Sequence, residues 1–390
     1  MSKFLCTTFI TLLIILVHST GVESQNEVAI QALDWSPNSD ALLLGNNVGD
    51  IDMWDVESQT LISTLRGHTQ EIMTLKWSPD GTHIASGSPD GTVRIWDAAS
   101  GTETNIIQFS QPDSPLRAIL DIDWSPDSRL VAGARETGRI IVWDARTGEQ
   151  RASYSHDGMA LTVAWHPSAN LLASGGIDGK VWIWNADNGS LSEFTAISSA
   201  GVGAIDSISW SATGEKIAIA LRRGGVQVFD FLTQFAVLQI PQPPSSIVSI
   251  SWSPDNINLA IGDHETVTVV DTSTGLVTDT FSGSGRLDSL AWSPYGGRLA
   301  FRSITPHLTR TATSLEGVIQ IVVPAPSLER LQAIADACNA PAAVERVLPA
   351  SAAAGQLSEF VARAEALPED TIPPACAADL IAVAEALQNR

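Results

Sequence analysis

Residues 77–97 read WSPDGTHIASGSPDGTVRIWD, three short strands joined by two tight turns. The turns are Asp80-Gly81 and Asp90-Gly91, because Asp-Gly supplies the positive-φ backbone that a tight hairpin needs. Ile84, Ala85 and Ser86 lie between them, and the alternating run Val93, Ile95, Trp96 and Asp97 follows. Three antiparallel strands in about twenty residues cannot bury both faces alone, so this unit needs neighbours.

The neighbours are in the chain. A Trp-Ser-Pro mark or a near variant begins at Trp35, Trp77, Trp124, Trp165, Trp210, Trp252 and Trp292, in steps of 40 to 47 residues. Roughly twenty residues after each comes a second mark: Trp54-Asp55, Trp96-Asp97, Trp143-Asp144, Trp184-Asn185, Phe229-Asp230, then the eroded Val270-Asp271 and Ile321-Val322. On these residues the chain resembles the WD-repeat family over residues 28–323. The resemblance implies an all-β fold: a seven-bladed β-propeller of four-stranded antiparallel blades, followed by a small C-terminal α-helical appendage.

Within each repeat, strand a ends at the Trp-Ser-Pro mark, where proline cannot donate to a sheet ladder. Strand b is short, small and apolar, strand c ends in Trp-Asp or its variant, and strand d is variable. Relatives of this family close the ring by pairing an N-terminal strand d with strands a–c of the last blade. Here the residues for that role, around 17–22, lie in or beside an apolar N-terminal run. Blade 7 either keeps three strands or takes its fourth from elsewhere.

Residues 1–24 have the order of a secretory signal peptide: Lys3, an apolar stretch over 4–17, then small and polar residues with cleavage expected after Gly21 or Ser24. The run is shorter than the ~20 residues that span a bilayer comfortably. The expectation is a secreted, extracellular or periplasmic protein, with a membrane anchor as the alternative if the segment stays uncleaved. Loss of Cys6 with the signal leaves Cys338 and Cys376, expected as a disulfide pair in an oxidising compartment, with two buried free thiols as the alternative. Such a bridge would stabilise the tail by roughly 3–4 kcal/mol. The tail, residues 327–390, has helical periodicity over 327–338, 355–367 and 375–388, separated by prolines.

A formal charge of −21 argues against nucleic acid as a partner, since phosphate binding needs clustered Lys and Arg. The sequence has no Gly-rich phosphate loop, no Cys-x-x-Cys and no calcium loop, and no metal or cofactor is expected. Two His-Ser-Asp sets tempt one toward nucleophilic catalysis. The resemblance instead implies a structural tetrad in blades 2 and 4 alone: His68, Ser86, Asp90 and Trp96, and His156, Ser174, Asp178 and Trp184. These sets repeat with the fold's period and have no oxyanion element beside them, so the chain is read as no enzyme. An enzyme with a pocket at the central channel mouth is the alternative; it calls for several carboxylates or histidines on neighbouring inner strands, and none is evident. A membrane-tethered structural protein is the third reading.

One asymmetry stands out. Arg117 and Arg286 fall in d–a connections, and Arg135, Arg222, Arg223, Arg302 and Arg310 in b–c connections or in the blade 7 insertion over 302–317. Both connection types emerge on the face that WD-repeat proteins commonly use for partners. The expectation is a scaffold binding a protein or peptide partner of acidic character, or an anionic ligand, through charge-assisted contacts.

Overall fold

The computed structural model describes residues 11–16, 29–108, 118–186, 190–193, 203–241, 243, 246–282, 289–304, 317–322, 324 and 374–388. Strand β1 is Thr11–Leu16. Blade 1 is β2 (Ile30–Trp35), β3 (Ala41–Asn46), β4 (Ile51–Asp55) and β5 (Thr60–Leu65); blade 2 is β6 (Thr74–Trp77), β7 (His83–Gly87), β8 (Thr92–Asp97) and β9 (Glu103–Gln108). Blade 3 is β10 (Ile119–Trp124), β11 (Leu130–Arg135), β12 (Arg139–Asp144) and β13 (Gln150–Ser155); blade 4 is β14 (Ala160–Trp165), β15 (Leu171–Gly176), β16 (Val181–Asn185) and β17 (Leu191–Glu193). Blade 5 is β18 (Ile205–Trp210), β19 (Lys216–Leu221), β20 (Gly225–Asp230) and β21 (Ala236–Ile240); blade 6 is β22 (Ser249–Trp252), β23 (Asn258–Gly262), β24 (Thr266–Asp271) and β25 (Val277–Ser282). Blade 7 holds β26 (Leu290–Trp292), β27 (Leu299–Ile304) and β28 (Gly317–Val322), with β1 paired antiparallel to β28 as its fourth strand.

The seven-bladed expectation holds, and the ring closure left open by the sequence is resolved in the full chain by residues 11–16 rather than by 17–22. The same residues carry the apolar core of the expected signal. Strand b of blade 7 extends to Ile304, so its connection to β28 shrinks from the expected 302–317 to 305–316, which lies outside the described residues. Of the three expected tail helices, α1 (Pro374–Gln388) is present; 327–338 and 355–367 also lie outside the described residues.

Each blade buries both faces against its neighbours, so the core divides into seven apolar clusters, one at each seam. Leu43, Ile51 and Met53 of blade 1 meet Ile72, Leu75 and Ile84 of blade 2, for example. At the closing seam, Trp35, Leu42 and Leu44 meet Ala291, Ala300 and Ile319.

Hydrogen bonds between inner strands set the blade-to-blade register. They come in two kinds, both made by the residue preceding a Trp-Ser-Pro tryptophan, through its side chain or through its carbonyl. Asp34, Asp123 and Ser209 accept from the backbone N–H of Trp77, Trp165 and Trp252 in the next blade, at 2.9, 2.7 and 3.2 Å. Lys76, Ala164, Ser251 and Ala291 instead offer a carbonyl to the indole Nε1–H of Trp124, Trp210, Trp292 and Trp35, each at 3.1 Å. All seven seams are tied one way or the other.

The Trp-Asp aspartate has a local reason. Asp55, Asp97, Asp144 and Asp230 each accept from the N–H three residues on, capping the c–d turn. A bulge at the residue before the mark, as at Met53/Trp54 and Ile95/Trp96, lets the chain swing into that turn.

Candidate functional site

In blade 2, His68 Nδ1 lies 2.8 Å from Asp90 Oδ2, His68 Nε2 lies 2.8 Å from Ser86 Oγ, and Trp96 Nε1 donates to Ser86 Oγ at 2.8 Å. In blade 4, His156 Nδ1 lies 3.1 Å from both Asp178 oxygens and Nε2 lies 2.8 Å from Ser174 Oγ, which accepts from Trp184 Nε1 at 2.6 Å. One proton order satisfies each set: Nδ1–H donates to the carboxylate, the serine hydroxyl donates to Nε2, and the indole donates to the serine. Burial pushes Asp90 up, but hydrogen bonds from His68 and Thr92 outweigh it and hold the carboxyl well below its usual range. Burial pushes His156 down, against the pull of Asp178.

Ser86 and Ser174 are fully buried, so neither hydroxyl meets a substrate. The other blades do without the serine: Leu44, Ile219, Ile261 and Phe301 occupy its place and are buried, and at Gly133 the Trp143 ring fills the space. A buried polar network is thus either complete or replaced by apolar packing, which is how a structural clasp behaves.

The expected arginine face is only partly assembled. Arg117, Arg286 and Arg310 lie outside the described residues. Arg135 closes β11 and is buried, with burial first and Arg139 second pulling its pKa down. Arg302 sits inside β27, not in a connection, and is buried too. The extra length of strand b carries it into the sheet. Arg222 makes a bidentate contact to Asp206, Nε at 3.0 Å and Nη2 at 2.5 Å from Oδ1, and keeps 48 % of its side chain exposed. Arg223 is exposed, at φ 69° in the blade 5 b–c turn.

The structure brings together carboxylates that sequence reasoning missed. The inner strands surround a central cavity of about 470 Å³ whose wall includes Asp34, Lys76, Asp121 and Asp123. Lys76 Nζ lies 3.2 Å from Asp34 Oδ1, and Asp34, with Asp123 and Asp121 behind it, pushes the lysine up and keeps it charged. Burial pushes Asp123 up to about 7, only partly offset by Lys76. The signal was present as Asp34-Trp35 and Asp121-Ile-Asp123-Trp124. Every one of these carboxylates is engaged: Asp34 and Asp123 tie seams as described, and Asp121 Oδ2 accepts from Val163 N at 3.0 Å. Among the described residues no cluster of His, Cys, Asp or Glu is arranged to hold a metal ion, and no helix is long and apolar enough to cross a membrane.

Exposed apolar side chains concentrate elsewhere. Leu232 and Phe235, in and just after the blade 5 c–d turn, are 91 % and 74 % exposed, and Val237, Leu276 and Val277 are exposed too. The blade 6 c–d turn lies against β21, since a Cβ on Gly275 would sit 2.9 Å from Leu238 Cδ1.

The family model described as WD domain, G-beta repeat, matches residues 59–97, 106–144 and 148–185. Comparison with curated proteins finds no match. The first matched unit runs from strand d of blade 1 through strand c of blade 2, so the sequence repeat is offset from the blade and laces neighbours together. WD40 propellers are commonly protein–protein interaction scaffolds and typically non-enzymatic. Three matched repeats set in seven four-stranded blades identify the chain as a WD-repeat β-propeller.

Proposed function

We propose that this propeller is an exported scaffold that holds a protein partner along the outer edge of blade 5. The observation that carries the reading is the exposed strip Leu232, Phe235 and Val237 on a chain whose other large apolar side chains are mostly buried. Arg222 and Arg223 stand at the opposite end of the same blade, where β19 turns into β20. The partner this suits offers an apolar anchor and, a strand's length away at about 20 Å, a carboxylate. The anionic-ligand idea thus narrows from seven arginines to this pair.

Immobilised full-length protein and two variants test it. Leu232→Ser/Phe235→Ser is expected to lose a partner that the parent retains from the extracellular fraction. Arg223→Asn, which keeps the left-handed turn accessible, is expected to weaken retention and flatten its salt dependence. Equal retention by both variants overturns the reading.

Export rests on the basic, apolar and small-residue order of residues 1–24. Cleavage there removes β1 and leaves β28 as the outer strand of blade 7. A mature chain starting at residue 22 or 25 supports export; an intact Met1 overturns it. In the exported chain the fully buried Cys376 of α1 pairs with Cys338, which lies outside the described residues. Intact mass with and without reductant and alkylation reads that bridge directly.

A further inference from the structure

In three blades one carboxylate ties the a–b turn. Asp80 Oδ1 accepts from Ser78 Oγ at 2.6 Å and from Thr82 N at 3.0 Å. Asp127 Oδ1 accepts from Ser125 Oγ at 2.6 Å and Arg129 N at 3.2 Å, and Asp255 Oδ1 from Ser253 Oγ and from Ile257 N at 2.9 Å. Blade 7 has Tyr295 at that position. Its two donors are nonetheless satisfied: Ser293 Oγ donates at 2.7 Å and Gly297 N at 3.3 Å to Asp379 Oδ2, a carboxylate brought in by α1.

The rest of the surroundings fit this substitution. The residue matching Gly297 is Asp40, Thr82, Arg129, Asn170, Glu215 or Ile257 in the other blades. A Cβ on Gly297 would come within 2.6 Å of Asp379 Cβ and 2.9 Å of its backbone oxygen, so only glycine lets the helix settle there. The second oxygen, Asp379 Oδ1, receives Arg298 Nε. Arg298 Nη2 also donates to the Ser39 carbonyl at 3.2 Å, and the guanidinium stands 5.2 Å from the Trp35 ring centroid. Ser39 and Trp35 belong to blade 1. Asp379 is fully buried and Arg298 is 6 % exposed.

We propose that α1 is a second closure of the ring: Asp379 fills the carboxylate slot that blade 7 lacks and, through Arg298, clamps blade 7 to blade 1 independently of the β1–β28 pairing. A propeller built this way keeps its closing seam whether or not the N-terminal strand is in place. The proposal does not depend on where the partner binds.

The full-length protein tests it with three changes, read by thermal melting and amide exchange. Gly297→Ala obstructs the helix while keeping Asp379 in the chain; it is expected to lower Tm by about 5 °C or more, as loss of one half of a buried ion pair does. Residues 293–298 and 374–388 should lose protection together. Tyr295→Asp restores a carboxylate to the turn, so 374–388 should lose protection while 293–298 keeps it. Leu13→Pro/Ile14→Pro removes two successive strand N–H groups, one of which must face β28. Alone it should leave one cooperative melt; combined with Gly297→Ala the fall in Tm should exceed the sum of the two. Parent-like melting and protection in Gly297→Ala, or simple additivity in the combined variant, overturns the proposal.

Discussion

A serine that accepts from an indole, donates to an imidazole and is fully buried meets no substrate, and that is the situation of Ser86. Its removal should therefore be a matter of stability. Ser86→Ala leaves His68 Nε2 and Trp96 Nε1 buried and without partners, and should cost about 2–4 kcal/mol, read as a lower urea midpoint at unchanged m-value. Asp123 carries a pH prediction of opposite sign to the usual carboxylate. Its folded pKa stands at about 7 against 3.8 for an unperturbed carboxyl, so between those values the folded chain holds the extra proton. Its contribution to stability is greatest below about 4 and declines as pH rises to 7. Asp123→Asn should accordingly gain on the parent between pH 5 and pH 8 in urea titrations; a pH-independent difference would refute the assignment. The tetrads were legible in the sequence because their members keep fixed offsets from the turn Asp-Gly. The channel carboxylates were not, because an aspartate before tryptophan on an alternating strand also fits a solvated face. Only the curvature of the ring brings strands β2, β6 and β10 together around a common axis.

Turns show the same contrast between what a pattern reveals and what packing adds. Gly101 and Gly138 both have positive φ, 67° and 85°, and both close tight turns. A Cβ on Gly101 would find only Ser63 Oγ, at 3.9 Å, whereas on Gly138 it would fall 2.1 Å from the Gly158 carbonyl oxygen in the next blade. Gly101→Ala should cost about 1 kcal/mol, the backbone penalty alone. Gly138→Ala should cost about 3 kcal/mol or more and loosen the blade 4 tetrad, because His156 N donates to the Gly138 carbonyl at 2.9 Å. Paired urea melts, with amide exchange over residues 174–184 reporting the blade 4 tetrad, distinguish the two. Strand order, turn positions and the Trp-Asp cap could be read from residue types because they are local. The helix α1 was legible as a helix, with Leu380 and Val383 on its buried side, but its anchoring aspartate was not. The only trace in the sequence was a pair of departures in blade 7, Tyr295 for aspartate and Gly297 for a side chain.

At the scale of the whole ring, six seams join blades that follow one another in the chain, and the seventh joins blade 7 to blade 1. The two kinds can be compared at corresponding positions. Leu33 N donates to Ser289 Oγ at 3.4 Å across 256 residues, and Ile122 N donates to Thr74 Oγ1 at 3.3 Å across 48, as well as to the neighbouring Asp121 Oδ1 at 2.9 Å. Each is a backbone N–H held by a hydroxyl at the same place on strand a. Blades 2 and 3 follow one another in the chain and stay tethered when their seam opens. Blades 7 and 1 part as soon as β1 and α1 let go, and the freed ends gain the entropy of an open array. Exchange in low urea should therefore release Leu33 N by a sub-global opening whose free energy lies below that of Ile122 N, and Gly297→Ala should widen the gap by weakening only the first. If Leu33 and Ile122 exchange at one common free energy in the parent, the closures make the ring a single cooperative unit, and the seam is no weaker than the six that the chain itself spans.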